Sequence, residues 1–474
     1  MIDLTQLPIL PLIILIPYLS IIPILLFDRK HSYNISIAAS FISFILTLLV
    51  VYASTAGQTL SFSVPYINYL NINLSLQVTH LNLMLLLMTS IIFLAVSLVG
   101  KYFIKDEHKQ YNVIFAIAEG SCLAIFLAAN LFLFYIFWEL AEIMMFFIIF
   151  IYGGFGRKSA ATKFIVYSLA SSLLLLIAII MIYTSVTPHT FDILTIIKDV
   201  GTAHQITQAT QLTIMALLLL SFMIKMPVFP FHSWLPDAHT EAPTTGSMIL
   251  AGVLLKFGGY GLLLMFLMIP ISLDYTKYMA VVFGFSAIYA AFAAMRQGNL
   301  KRAIAYTSIT DMGIVAVGVA AYGILGSNGA LYAMLSHGIV ISLLFLIAGT
   351  VGELYGTLEI AKIKGIIRNF PVITYFFIFG AVALVGIPLT AGFIGDLLIF
   401  LASTQVFGVI GVLPLVGIIV MGALMFWLIE RMFLSKKETH QFHHIDKLVI
   451  VSCILLSVSS IVLGIFPSIL LHAI

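Results

Sequence analysis

Four charged side chains fall inside runs of apolar residues: Lys225 within 213–229, Lys256 within 248–268, Glu139 within 131–152, and Asp396 in the stretch after Pro388. In the middle of a bilayer each would cost roughly 2.5–3.5 kcal/mol on insertion scales, a cost that a simple anchor has no use for. Ammonium and carboxylate groups held away from lipid face the protein interior and mark paths for ions or protons. Glu139, in Phe137-Trp138-Glu139-Leu140, is the expected partner of Lys225. At about 4 Å and an effective dielectric near 20 such a pair is worth roughly 4 kcal/mol. Making and breaking it would switch Lys225 between holding and releasing a proton near neutral pH. The competing reading is a static interhelical salt bridge, which leaves Lys256 and Asp396 unexplained.

Lys256 lies too deep in its run to snorkel to the surface, and Gly258 and Gly259 beside it allow close helix packing or water entry. It is either a relay member or a fixed counter-charge for Asp396 or Asp311. His337, in Met334-Leu335-Ser336-His337-Gly338, has an imidazole suited to pass protons between lysines; alone it would read as a hydrogen-bonded packing residue. Asp396 would end a relay Lys225–Lys256–His337–Asp396. Asp311 is a branch toward the surface or a helix-breaking cap. Glu119 and Glu142 are weaker candidates, Glu142 standing one turn from Glu139. The segment His232-Ser-Trp-Leu-Pro-Asp237-Ala-His239-Thr-Glu241 has the residue types of a metal site, but its spacing matches no zinc template. It reads as a polar cap on the outer face of the seventh span, and no metal is expected. His440, His443 and His444 read as solvating a cytoplasmic loop. The sequence has no glycine-rich phosphate loop, nucleophile elbow or CxxC pattern.

The elements that hold these groups are membrane spans. Hydrophobic residues make up 62% of the 474-residue chain and charged residues 9%, against about a quarter charged in soluble domains. Runs of about 20 apolar residues recur throughout. They give fourteen candidate spans, starting near Pro8, Asn34, His80, Tyr111, Leu131, Lys163, Gln211, Thr245, Tyr278, Arg302, Ala330, Pro371, Phe407 and Leu448. The first lacks a small-residue cleavage signal and reads as a retained helix. Loops after odd-numbered spans carry eighteen lysines and arginines, among them Arg29, Lys105, Arg157, Lys301, Arg368 and Lys437; loops after even-numbered spans carry only Lys198 and Lys277. By the positive-inside rule the odd loops are cytoplasmic and both termini face outward.

The net charge of +3 comes from these topological residues, so it gives no reason to expect nucleic acid. Cys122 and Cys453 fall in apolar runs, which excludes a disulfide framework. No large water-soluble domain is present, so redox cofactors would sit on other chains.

Prolines interrupt two spans. The seventh reads Lys225-Met-Pro227-Val-Phe-Pro230, and the twelfth reads Gly386-Ile-Pro388-Leu-Thr-Ala-Gly392. Backbone broken at membrane depth is tolerated only where it is buried in protein or lines a cavity. The breaks fall in corresponding places of two halves, spans 4–8 and 9–13, the pattern of a transporter site between repeats. The expected architecture is an all-α polytopic membrane protein of fourteen transmembrane helices, with two inverted five-helix repeats and broken helices 7 and 12. Its units would be 1–110 (helices 1–3), 111–270 (first repeat), 271–440 (second repeat) and 441–474 (helix 14).

The run KMPVFPFHSWLPDAHTEAPTTGSMILAGVLLKFGGYGL from Lys225 to Leu262 closely resembles the signature of the antiporter-like proton-translocating subunits of respiratory complex I. The likeness extends to FWEL at Glu139, RAIAYTSITDMG at Asp311, MLSHG at His337 and GIPLTAGFIGD at Asp396, and it is nearest the M type, or chain 4. The same superfamily holds subunits of membrane-bound hydrogenases and of multi-subunit cation/proton antiporters.

The resemblance implies Glu139 and Lys225 as a coupling pair, Lys256 and His337 as the middle of a relay, and Asp396 as its outlet. Many members have histidine where this chain has Asp311, so a relay through that position differs here. It further implies a non-redox subunit of an NAD(P)H- or ferredoxin-type quinone oxidoreductase, with iron–sulfur clusters and flavin on partner subunits. The partners would be two sister antiporter-like chains, small membrane subunits and a peripheral redox arm, in a prokaryotic cell membrane. The rivals are a subunit of a Na+/H+ antiporter or membrane-bound hydrogenase, a lone solute transporter, and a scaffold. The transporter would need more polar and aromatic groups at the breaks, and the scaffold gives the buried charges nothing to do.

Overall fold

The structure, a computed structural model, describes residues 7–70, 72–105, 108–187, 189–202, 207–435 and 445–471, without the side chains of Lys30 and 199–202. His440, His443 and His444 lie outside the described residues. Apolar sequence that must satisfy its own backbone in lipid folds as helix. Among the described residues 13 helices are long and apolar enough to cross a membrane.

The chain opens with α1 (Ile9–Leu26) and α2 (Arg29–Thr55), then an antiparallel hairpin, β1 (Ser61–Ile67) and β2 (Ile72–Gln77). The helices α3 (His80–Phe103), α4 (His108–Leu127), α5 (Leu131–Tyr152) and α6 (Arg157–Ser185) follow. A short α7 (Ile193–Thr202) leads to α8 (Gln208–Lys225), and α9 (Trp234–Glu241) follows beyond a break. Next, α10 (Thr244–Ile249) runs through a π-turn at Leu250–Leu254 into α11 (Leu255–Met268). Then come α12 (Leu273–Met295), α13 (Leu300–Ala320), α14 (Gly323–Tyr355), the single turn α15 (Ile366–Asn369) and α16 (Pro371–Leu384). The chain closes with α17 (Ala391–Phe407), α18 (Leu413–Leu428), α19 (Lys447–Ile465) and a last turn, α20 (Ser468–Leu471).

Depth in the bundle follows from which helices are apolar on all sides with small residues for close approach. The α10–α11 stretch is buried almost end to end, and α3, α13 and α14 nearly so, whereas α1, α2, α6 and α19 keep an apolar face exposed. The buried helices therefore form a central layer, and the charged side chains sit on them or beside them. Side chains of Asn130 and Asn299 cap α5 and α13 by accepting from Leu133 N (2.8 Å) and Arg302 N (3.1 Å).

Both expected breaks are present. The α8 helix stops at Lys225 and resumes only at Trp234, and α16 stops at Leu384 with α17 starting at Ala391. The second break turns on Gly386, whose φ of +76° is one that glycine adopts without strain.

Candidate functional site

The first break delivers Lys225 at the very end of α8. Trp234 Nε1 donates to Ile224 O (3.0 Å) and Val228 N to Met223 O (2.9 Å), so carbonyls freed by the prolines find partners inside the protein. Lys225 Nζ donates to Glu142 Oε1 on α5, and both side chains are 1% exposed. Around the ammonium stand the rings of Trp138 (5.4 Å), Phe164 (5.7 Å) and Phe257 (5.8 Å). Aromatic faces attract a cation without neutralising it. The pair thus sits in an aromatic box, with Glu142 as the carboxyl group that meets Lys225.

This corrects the expected partner. Glu139 is half-buried beside Tyr135, and Lys225 bonds Glu142 instead. Three residues along a helix turn the side chain by about 300°, so the two carboxylates lie roughly 60° apart around α5. Only Glu142 looks at the end of α8.

The second group is centred on Lys256. The π-turn immediately before it leaves the Ala251 carbonyl to Lys256 Nζ, which donates to it at 2.6 Å. The same nitrogen lies 2.7 Å from His337 Nδ1 on α14. When Lys256 is charged it is donor only, and Nδ1 then accepts from it while the neutral ring carries its hydrogen on Nε2. Nε2 points toward Asp311 on α13, 3.6 Å from Oδ2. Asp311, Ser336, His337, Gly392 and Asp396 line one small cavity of about 20 Å³, room for a single water. The Asp396 carboxylate lies over the second break, where a Cβ placed on Gly386 would stand 2.6 Å from Oδ2.

The structure therefore brings Lys256, His337, Asp311 and Asp396 together, with Asp311 between the histidine and the last carboxylate. Lys225 stands apart with Glu142. Phe257, the residue after Lys256, packs against Lys225. Gly258 makes the approach tight: a Cβ there would lie 2.6 Å from Met226 Cγ and 3.0 Å from Phe222 O.

The segment 232–241 lies with the basic loops and not on the face opposite them, where the expected outer cap would stand. Asp237 accepts from Lys163 (2.7 Å) and Arg302 (2.7 Å), Gly154 N and Gly156 N donate to Glu241, and Lys301 Nζ donates to Ala242 O (2.9 Å). In the chain, α9 follows directly on the break after Lys225. The residues of 232–241 point to separate partners: His232 packs against Phe229 and Tyr289, and His239 stacks on Phe345 at 4.5 Å. Two buried carboxylates, Glu142 and Glu119, carry more of the geometry than their sequence contexts indicated. The signal for both was their position within apolar runs.

Residues 128–422 match the family described as NADH:quinone oxidoreductase/Mrp antiporter, transmembrane. NADH-quinone oxidoreductase subunit M of Rickettsia prowazekii is 35% identical over 98% of this chain and 97% of its own length. NADH-ubiquinone oxidoreductase chain 4 of Chondrus crispus is 34% identical over 87% and 84%. Among solved structures, a chain of respiratory complex I from Thermus thermophilus superposes with a TM-score of 0.89 over 98% of both chains at 23% identity. A chain of the Mrp complex from Dietzia gives 0.88 at 17% identity, covering 98% of this chain and 96% of that one. With more than half its length matched by the family and with full-length relatives above 30% identity, the chain belongs to the NADH:quinone oxidoreductase/Mrp antiporter family as an antiporter-like integral membrane subunit related to subunit M, or chain 4, of complex I.

Proposed function

We propose that the chain is a proton-translocating subunit of a complex I-like quinone oxidoreductase, driven by electron transfer in other subunits. The observation that carries this reading is the sequestered Lys225–Glu142 pair at a helix break, set one helix away from the line Lys256, His337, Asp311 and Asp396. Opening the pair leaves each buried charge without its partner among aromatic side chains, an arrangement that favours moving a proton on. The proton then has lysine, imidazole and two carboxylates to move along, with a water-sized cavity between the last three. Glu139 is half-buried, and in this reading a neighbouring subunit would cover it. Iron–sulfur clusters and flavin belong to partner subunits in this reading, and two sister antiporter-like chains complete the membrane arm. The chain makes fourteen crossings in two inverted repeats (111–270 and 271–440), flanked by 1–110 and 441–474. Both termini face outward from a prokaryotic cell membrane.

Proton-to-electron stoichiometry of the complex in liposomes tests it. Lys225→Ala should abolish this subunit's share, and a full ratio in that variant would sink the mechanism. The fold shared with the Mrp complex and with the membrane-bound sulfane sulfur reductase supports a second reading, an ion exchanger or a hydrogenase-type subunit. Sodium-dependent proton flux without an electron donor would favour it. So would recovery of a C-terminally tagged chain with small antiporter subunits in place of redox proteins.

A further inference from the structure

Outside this line, α4 buries another carboxylate. Glu119 is 1% exposed and receives one hydrogen bond, from Ser40 Oγ on α2 to Oε2 at 2.8 Å. Its other oxygen, Oε1, is buried with no hydrogen-bond partner, and no lysine, arginine or histidine forms an ion pair with it among the described residues. A carboxylate in that position forfeits several kcal/mol of solvation, whereas a carboxylic acid places a proton on the orphan oxygen.

The approach to Glu119 is polar on one side. Ser32, Ser36, Ser40, Ser43 and Thr47 of α2 are all buried and share one helix face. Ser32 sits at the basic end, bonded to Arg29 O (2.9 Å) and to Asn112 Nδ2 (3.1 Å). Positions four apart on a helix are about 6 Å apart, farther than one water bridges with two hydrogen bonds of about 2.8 Å, so passing a proton between them takes hydroxyl rotation or a short chain of waters. On the far side Tyr18 OH meets Ser121 Oγ at 2.9 Å, and Cys122, one turn along α4, is within electrostatic reach of both Glu119 and Lys225.

We propose that Glu119 is a proton-loading site, filled from the basic face along the α2 hydroxyls and emptied toward the Lys225–Glu142 pair. One proton adds to Oε1 and the same proton leaves, so no other reactant is required. This rests on the proton-translocating reading above.

The test uses the whole complex in liposomes, carrying Glu119→Gln, Ser40→Ala or Lys225→Ala. The infrared difference spectrum between resting and turning-over enzyme should contain a carboxylic C=O band that is absent in E119Q and shifted in S40A. The proton-to-electron ratio of E119Q should fall, by no more than the loss in K225A. A wild-type ratio in E119Q together with a lowered one in K225A overturns this site alone. Wild-type ratios in both overturn the proposed function and this site with it. Should E119Q fail to assemble, S40A decides: an unshifted band with an unchanged ratio overturns the proposal.

Discussion

At the scale of single residues, the pairing of Lys225 with Glu142 is the feature that changes the chemistry most. Removing one partner of a buried ion pair leaves the other charge uncompensated and costs about 3–5 kcal/mol, whereas removing both is far cheaper. Glu142→Leu should therefore lower the thermal stability of the assembled complex sharply, and Glu142→Leu with Lys225→Met should recover most of the loss. Neither variant should pump normally. Glu139→Gln should leave stability within about 0.5 kcal/mol, because that side chain is half-buried and outside the pair. Melting of the purified complex checks all three, and a larger loss in E139Q than in E142L would return the pair to Glu139. The sequence made lysine, carboxylate and apolar setting legible, but not the choice between two carboxylates. The reason is physical: α5 reads FWELAEIMMFFIIF, apolar on every side, so no polar stripe fixes which way the helix is rotated.

The elements show why proline spacing was the better guide. Both breaks follow from residues that cannot continue a helix, and each puts a titratable group at its edge: Lys225 closes α8, and Asp396 lies over Gly386. Replacing Gly386 by alanine would strain a backbone at φ +76° and push a methyl within 2.6 Å of the Asp396 carboxylate. Gly386→Ala should thus reduce the proton-to-electron ratio while the complex still assembles. A normal ratio would show that Asp396 tolerates displacement. Gly258→Ala is expected to act differently. Its new Cβ meets Met226 N at 2.9 Å and Phe222 O at 3.0 Å, backbone atoms that cannot swing aside. Overpacking of this kind costs about 1–3 kcal/mol, so a lower melting temperature is the expected readout. The π-turn ahead of Lys256 had no signature in the sequence, since Leu250-Ala-Gly-Val-Leu254 is an ordinary helix-compatible run. Only packing against neighbouring helices selects it.

For the whole molecule, the placement of lysine and arginine remains the most informative pattern, because it reports on every crossing at once. It also explains the misplaced segment 232–241. Reading 232–241 as a cap beyond the apolar run 213–229 put Asp237 and Glu241 on the outer face, whereas their bonds to Lys163, Arg302 and the Gly154–Gly156 turn put them with the basic loops. The charge pattern makes a prediction that tests the topology directly. Lys158 is exposed on the basic face, and Tyr69, at the tip of the β-hairpin on the opposite face, is 96% exposed. Both natural cysteines are buried, so the wild-type chain gives little background with a membrane-impermeant thiol reagent. Tyr69→Cys should label in intact cells and Lys158→Cys only after the membrane is opened. The reverse pattern would place the termini on the cytoplasmic side and invert the direction in which the Glu119 lane and the second break must open. Labelling of both positions from one side would mean that a crossing between residues 69 and 158 has been misassigned, which would undo the alternation on which the two-sided proton path depends.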